Sequence, residues 1–288
     1  MEQNFTDQVV LIINAADDLG RAYCRYFLAR GATLVLHDGR EDCLSAMLDE
    51  LDRHRCIVAH SSGDLAVPGA ADAFVSKMIS DWGKIDILIN NRGPQIPAIL
   101  EKCSAIQLQN AMQSHLISTM LTTLAVLPHM RGRDAGRIIA TASGAGAFGA
   151  AGYTAQSAAG AGVIGFMRSL SLELSATSLK VNTIAPMTVE DHDGYLPSPD
   201  PMIDRELYHA DKVAPVVAFL ASLDCPLNGR LLSITGGRVA HVFASTVSGY
   251  FSHDLEGHGL GANLSAILDT NYSLIPESAA DELLMINV

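Results

Sequence analysis

A regular alternation of short apolar runs and helical stretches governs what this chain can form. Residues 9–13 read VVLII, and residues 20–30 carry apolar side chains at helical spacing. Strands buried on both faces are almost continuously apolar, and such alternation is typical of a parallel sheet covered by helices. The sequence predicts strands at 9–13, 33–36, 56–59, 85–89, 137–141, 179–184 and 231–235, and helices at 20–30, 41–53, 68–82, 105–130, 156–175 and 211–222. The predicted fold class is α/β, with a doubly wound parallel sheet in one domain.

The alternation fades near residue 248. We therefore predict a domain over residues 1–248 and a C-terminal extension over residues 249–288, whose secondary structure the pattern leaves open. Residues 186–201 are rich in proline and aspartate and are predicted to form a loop. With 288 residues, 49% of them hydrophobic, the chain can bury one large core.

The net charge of -12 argues against nucleic acid or an anionic membrane as a partner, because either would repel such a surface. No run approaches the roughly 18 apolar residues of a membrane span, and the first residues do not resemble a signal peptide.

The five cysteines lack metal-type spacing. Residues 190–193 (EDHD), His253 and His258 are interpreted as solvated loop residues rather than ligands. We expect a cytoplasmic protein with free thiols and no metal site.

Several longer segments resemble the short-chain dehydrogenase/reductase family over about residues 7–240. They are the segments GKIDILIN (83–90), LPHM (127–130), VNTIAP (181–186) and GRLLSITGG (229–237). The resemblance implies a Rossmann-type sheet, an NAD(P)-dependent dehydrogenase and a dimer or tetramer. The segments GRAY (20–23) and 213–237 look most similar to (3R)-hydroxyacyl-CoA dehydrogenase units, which would place the chain in acyl-CoA metabolism.

The turn after the first strand departs from the family's TGxxxGxG pattern, because Asn14 and Asp18 replace glycines and only Gly20 remains. Asn tolerates the left-handed backbone of such a turn, so Asn14 can preserve its shape. A carboxylate at the helix N-terminus gains roughly 0.3–1 kcal/mol, but at about 4 Å from a phosphate it costs about 4 kcal/mol at an effective dielectric of about 20. We predict that Asp17 and Asp18 replace the pyrophosphate internally; ordinary helix capping is the simpler interpretation.

Other cofactor positions of the family survive in part. By resemblance, Asp38 corresponds to the acid that holds the adenosine ribose and favours NAD, and Asp64 to the acid beside the adenine. Asn90 and Arg92 belong to the turn Asn-Asn-Arg-Gly, in which Arg92 replaces a small residue that lies against the cofactor. Arg92 would fill the vacant site, pair with a nearby aspartate or remain in solvent. Dinucleotide binding is predicted to be lost.

The catalytic positions have changed more completely. In the gap-free register, Gln156 and Gly160 occupy the positions of the family's tyrosine and lysine, and Gln156 follows Ser143 by the family's thirteen residues. The alternative register offers Tyr153 with a serine in place of lysine. Hydride transfer needs a group that exchanges the hydroxyl proton, and a glutamine amide cannot do so. His115 replaces the family's asparagine, so only Ser143 is retained.

These observations predict a catalytically inactive subunit that stabilises or regulates an active NAD-dependent paralogue, with no cofactor in this chain and NAD in the partner. The partner is expected to be a hydroxyacyl-CoA or similar dehydrogenase. By analogy with the family, we expect a hetero-oligomer, a tetramer, that assembles through the helices at 105–130 and 156–175. Three alternatives stay open. The first is a homomeric NAD-dependent oxidoreductase with an atypical site, and the second is a lyase or isomerase that uses His115 and Ser143. The third is a binding or regulatory protein that binds a ligand without turnover.

Overall fold

The computed structural model describes residues 3–51, 59–91, 93, 97–188, 205–253 and 257–284. Among these residues the main sheet has eight strands, β1 (Val9–Ile13), β2 (Thr33–His37), β3 (Ala59–Ser61), β4 (Ile87–Asn90), β5 (Arg137–Thr141), β6 (Lys180–Met187), β7 (Leu231–Thr235) and β8 (Arg238–Val242). Their order is β3-β2-β1-β4-β5-β6-β7-β8, and the pairs from β3 through β7 are parallel. The predicted doubly wound parallel sheet is confirmed, with β8 as an additional edge strand.

Helices connect the strands and form layers on both faces of the sheet. Their bounds are α1 (Asp18–Leu28), α2 (Glu41–Glu50), α3 (Ala70–Trp82), α4 (Ala105–Ala111), α5 (Ser118–Gly132), α6 (Gly144–Phe148), α7 (Thr154–Glu173) and α8 (Ala214–Ala221). The fully buried strand β1 shows why two layers are needed. Val10 and Ile12 belong to the core cluster that includes α1 and α8, whereas Leu11 and Ile13 belong to the cluster that includes α3, α5 and α7.

The single long helix predicted over residues 105–130 is present and continues to Gly132, past the expected end at Pro128. The prediction missed the wider π-helical turn Met112–Ile117 inside this helix, between α4 and α5. A proline removes one helical N–H, whose acceptor here would be the carbonyl of Leu124. The helix nevertheless continues four residues past Pro128.

Several other predicted boundaries move by a few residues. The helix predicted from residue 68 begins at Ala70, because Gly69 has a left-handed backbone with φ of 84° at its N-cap. A 3-10 turn, Ala210–Lys212, precedes α8, which begins at Ala214 rather than at residue 211. Strand β6 extends to Met187, so it includes Pro186, the start of the predicted loop. Most of that loop and of the strand predicted at 56–59 lies outside the described residues.

By its contacts the chain divides into a unit over Met1–His241 and a second unit over Val242–Val288. The second unit contains β9 (Thr246–Val247) paired antiparallel with β10 (Ser273–Leu274), and the short helices α9 (Gly257–Ala262), α10 (Leu264–Ile267) and α11 (Ala279–Leu284). The boundary predicted at residue 248 stays a prediction. Within the described part of the chain, no helix has the length and apolar character needed to cross a bilayer.

Candidate functional site

The site is expected where the strand order reverses, between β1 and its neighbour β4. In open parallel sheets, ligands bind outside the carboxyl ends of the strands at this point. Asn14, Asp38, Asn91 and Ser143 all come directly after or close to a strand end on this edge. The topology therefore brings together residues that are more than a hundred positions apart in the sequence.

Asn14 has the left-handed backbone that the sequence predicted, with φ of 55°. Its Nδ2 donates to the carbonyl of Asn91 at 2.9 Å, while the Asn91 Nδ2 donates to the carbonyl of Asn14 at 3.2 Å. This reciprocal pair ties the ends of β1 and β4 together. Asn14 thus preserves the turn and adds a side chain that a glycine would not have.

The cap of α1 is Asp17 rather than Asp18. One carboxylate oxygen of Asp17 accepts the Gly20 N–H at 2.7 Å and the Asn91 Nδ2 at 2.7 Å. Asp18 is the first helical residue, and its side chain is exposed. The prediction that both aspartates fill the turn is corrected accordingly, because only Asp17 faces the orphan N–H groups. Gly20 is required for close packing, since a Cβ there would lie 2.4 Å from the Ala15 carbonyl oxygen.

Asp38 lies at the end of β2, and its side chain is 1% exposed. One oxygen accepts the Arg40 backbone N–H at 3.0 Å and its Nε at 2.9 Å; the other accepts the Ala16 N–H and the Arg40 Nη2, both at 2.9 Å. Burial would raise the pKa of this carboxyl, but the hydrogen bonds from Arg40 and Ala16 outweigh it and lower the pKa. An ionised carboxylate has about four acceptor positions. All four are used here, which leaves none for a ribose diol.

A cavity of about 340 Å³ lies beside this ion pair. His37 lines it, is 3% exposed and packs against Phe74 with ring centroids 5.5 Å apart. Desolvation lowers the pKa of His37 to about 4, although Asp38, the Gly63 backbone and Asp64 act in the opposite direction. Neither ring nitrogen has a hydrogen-bond partner of ordinary geometry. The cavity is therefore lined by a neutral imidazole at physiological pH.

The remaining cofactor positions have structural partners. Asp64 accepts the Ala66 N–H at 2.8 Å and borders the same cavity. Asn90 is buried, donates to the Thr123 hydroxyl at 3.0 Å and accepts from the Thr122 hydroxyl at 2.7 Å. Its amide thus anchors α5 to β4. Arg92 lies outside the described residues, so the prediction for it stays untested.

The catalytic segment is closed by contact between two helices. A Cβ on Gly146 of α6 would lie 2.7 Å from the Gly160 carbonyl carbon in α7, and a Cβ on Gly160 would lie 3.3 Å from the Ser143 Oγ. Ser143 itself caps α6 by accepting the Gly146 N–H at 3.1 Å. A side chain at Gly160, the position of the family's lysine, would therefore begin in close contact with Ser143 and Gly146. The register that aligns Gly160 with that lysine stays a prediction.

Gln156 and His115 complete the set of predicted catalytic positions. Gln156 is 8% exposed and borders a second cavity of about 200 Å³, which shares Asn110 and Ser114 with the larger one. His115 lies in the π-helical turn, and its Nε2 is 2.8 Å from the Thr141 carbonyl oxygen. A carbonyl only accepts, so Nε2 carries the proton and donates. Nε2 is thus engaged with this carbonyl and does not serve as a base.

Four residues that the sequence did not single out shape this site: His37, Arg40, Asn91 and Gly146. The sequence gives a weak indication of the role of Arg40, because an arginine two residues after an aspartate at a strand end can form an ion pair with that aspartate. It gives none for Gly146, since the importance of this residue depends on a helix fourteen residues further along the chain. No group of three potential metal ligands occurs among the residues that the structure describes. Residues 190–193 and the His258 side chain lie outside that part.

Comparison with known proteins agrees with this architecture. The sequence model of the family described as short chain dehydrogenase (adh_short) matches residues 8–193. The (2S)-[(R)-hydroxy(phenyl)methyl]succinyl-CoA dehydrogenase subunit BbsD of Thauera aromatica is 32% identical, over 81% of this chain and 96% of its own. The peroxisomal hydratase-dehydrogenase-epimerase of Saccharomyces cerevisiae is 28% identical over 81% of this chain, which spans only 26% of that protein. The crystal structure of levodione reductase matches with a TM-score of 0.73 and 28% identity, covering 81% of this chain and 98% of that one. The chain therefore belongs to the short-chain dehydrogenase/reductase family.

Proposed function

We propose that this chain is a non-catalytic subunit of a short-chain dehydrogenase assembly, which stabilises or regulates an active NAD-dependent paralogue. The observation that carries the proposal is the buried amide of Gln156 at the position of the family's tyrosine. A tyrosine phenol exchanges the substrate proton in this family only beside an ammonium that lowers its pKa. Here Gln156 replaces the phenol, and Gly160, at the lysine position, has no side chain that could supply the ammonium.

The absence of a cofactor in this chain is part of the same proposal. The residues that would hold a dinucleotide do not fit one: the Asp17 carboxylate caps the helix N-terminus, and Asp38 has used its acceptor positions on Arg40 and Ala16. Each carboxylate within about 4 Å of a phosphate costs about 4 kcal/mol. NAD would then bind only to the active partner.

The nature of the partner is inferred from relatives and from the exposed helices. The Thauera aromatica relative is a subunit of a CoA-thioester dehydrogenase, which supports a partner that oxidises a hydroxyacyl-CoA or similar alcohol. Apolar side chains are exposed on the predicted contact helices, with Leu124 at 61% and Leu172 at 46%. Large exposed apolar groups on neighbouring helices are typical of subunit interfaces. We expect a hetero-oligomer through α5 and α7.

The test begins with the chain alone. We expect no NADH binding by fluorescence titration and no turnover of hydroxyacyl-CoA substrates, with a Ser143→Ala variant as control. Each short-chain dehydrogenase of the source genome that keeps the Tyr-x-x-x-Lys pair is then co-expressed with this chain, and the complexes are weighed by native mass spectrometry. Turnover by the chain alone that Ser143→Ala abolishes would instead support a lyase or isomerase. NADH binding with turnover would support a homomeric oxidoreductase.

A further inference from the structure

The second unit, residues 242–288, exposes many of its apolar side chains. None of its described residues is buried. Eight of the twenty large apolar side chains that are exposed in the described structure belong to this short unit, and the most exposed are Phe251 (66%), Leu268 (66%) and Tyr272 (79%). A surface with so many exposed apolar groups favours contact with another protein.

The secondary structure of this unit cannot support itself in water. Helices α9 and α10 have six and four residues, and β9 and β10 have two each. Isolated helices shorter than about 12 residues are marginal in water, and so is a lone two-stranded ribbon. These elements therefore need a surface on which to form.

The family's domain does not need the whole of this chain. The Thauera aromatica relative and levodione reductase are matched over 96% and 98% of their own lengths, and these matches cover only 81% of this chain. The short-chain dehydrogenase fold is thus complete in shorter proteins.

The charges of the second unit indicate which kind of subunit it contacts. Residues 242–288 contain six Asp and Glu and no Lys or Arg, and the remaining 241 residues have 25 acidic and 19 basic side chains. A second copy would therefore present a net negative surface to a negative segment. Potentials that are complementary favour association, and like charges oppose it.

We propose that residues 242–288 form an arm that docks on an apolar groove with a basic rim, on a short-chain dehydrogenase subunit that is not a copy of this chain. The inference rests on the proposed function, because it adds a second contact with the active partner to the one expected through α5 and α7. The apolar side chains supply the contact, and the acidic ones select a basic subunit over a second copy.

The experiment uses the full chain paired with each Tyr-x-x-x-Lys dehydrogenase of the source genome. The arm variant carries Leu264→Ser, Leu268→Ser and Tyr272→Ser; all three side chains are at least half exposed, so the fold is expected to persist. Its matched control is Leu223→Ser, which removes an apolar side chain of similar exposure (72%) from the first unit. We expect the Kd of the complex to rise at least tenfold in the arm variant and to be unchanged in the control.

Charge provides a second readout. Neutralising the arm by Asp269→Asn and Glu277→Gln is expected to weaken the complex severalfold at 50 mM salt and much less at 500 mM, because salt screens exposed charges. If the arm variant binds the partner as tightly as the wild type, the proposed role of the arm is wrong and the proposed function remains. Failure of every pair to associate, or a homodimer that the arm variant dissociates, would overturn both.

Discussion

Around β1 and β2, charged side chains with hydrogen-bond partners occupy the candidate site, whereas between α6 and α7 two glycines lie against each other. Asp17 caps a helix, and Asp38 is bound by Arg40 and Ala16. Gly146 and Gly160, by contrast, allow two backbones to touch. One half of the candidate site is filled by electrostatic partners, and the other is closed by steric contact.

The two kinds of closure respond to different perturbations. Ion pairs and buried titratable groups depend on protonation, so the stability of the first half should vary with pH. A backbone contact has no proton to lose, so the second half should vary only with side-chain volume. A pH series and a volume series therefore separate the two halves experimentally.

The largest expected effect concerns His37. Its pKa of about 4 lies below the ordinary value of 6.5 because burial disfavours the charged imidazole. Between these two pH values the unfolded chain binds a proton that the folded chain refuses, so stability falls as pH falls from about 6.5 to about 4. With about 1.4 kcal/mol per pKa unit, the loss is about 3 kcal/mol. Urea unfolding of the wild type and His37→Leu at pH 7, 5.5 and 4.5 should show this loss only in the wild type.

The control for His37 is His129→Gln, because His129 is exposed on α5. That variant should keep the wild-type dependence on pH. Equal slopes in the wild type and in His37→Leu would show that the imidazole is protonated in the folded state. The conclusion that a neutral imidazole lines the larger cavity would then be wrong.

The next effect tests the steric half. Gly146→Ala places a methyl group 2.7 Å from a backbone carbon that cannot rotate away, so we expect a loss of about 2 kcal/mol in the free energy of unfolding at every pH. Gly144→Ala in the same helix meets nothing within 4 Å and should be neutral or stabilising by up to about 1 kcal/mol. Urea denaturation of both variants measures the difference. Equal stability of the two would mean that α6 can move away from α7, and that the lysine position can be reopened.

Sequence reasoning reached the fold because β1 and β5 are apolar without interruption, and because only one layer arrangement buries such strands. It also anticipated the left-handed backbone of Asn14, since few residues tolerate that conformation. It predicted the long helix but missed the π-helical turn around His115, because such a turn leaves no mark in an apolar pattern. It assigned the capping role to Asp17 and Asp18 together, because the sequence does not show which of these two neighbours is the N-cap and which is the first helical residue. The pairing of Asp38 with Arg40 and the contact of Gly146 with Gly160 depend on tertiary geometry, which no local pattern encodes.

The smallest effect concerns the turn that holds the electrostatic half in place. Asn14→Gly removes one hydrogen bond to Asn91 but keeps a residue that accepts φ of 55°, whereas Asn14→Ala removes the same bond and adds steric strain. We expect the alanine variant to be less stable than the glycine variant by about 1 kcal/mol in urea unfolding. The glycine variant restores a family glycine, but Asp17 and Asp38 keep their partners, so NADH titration should still show no binding. NADH binding by Asn14→Gly alone would show that the side chain of Asn14, rather than the two carboxylates, excludes the dinucleotide.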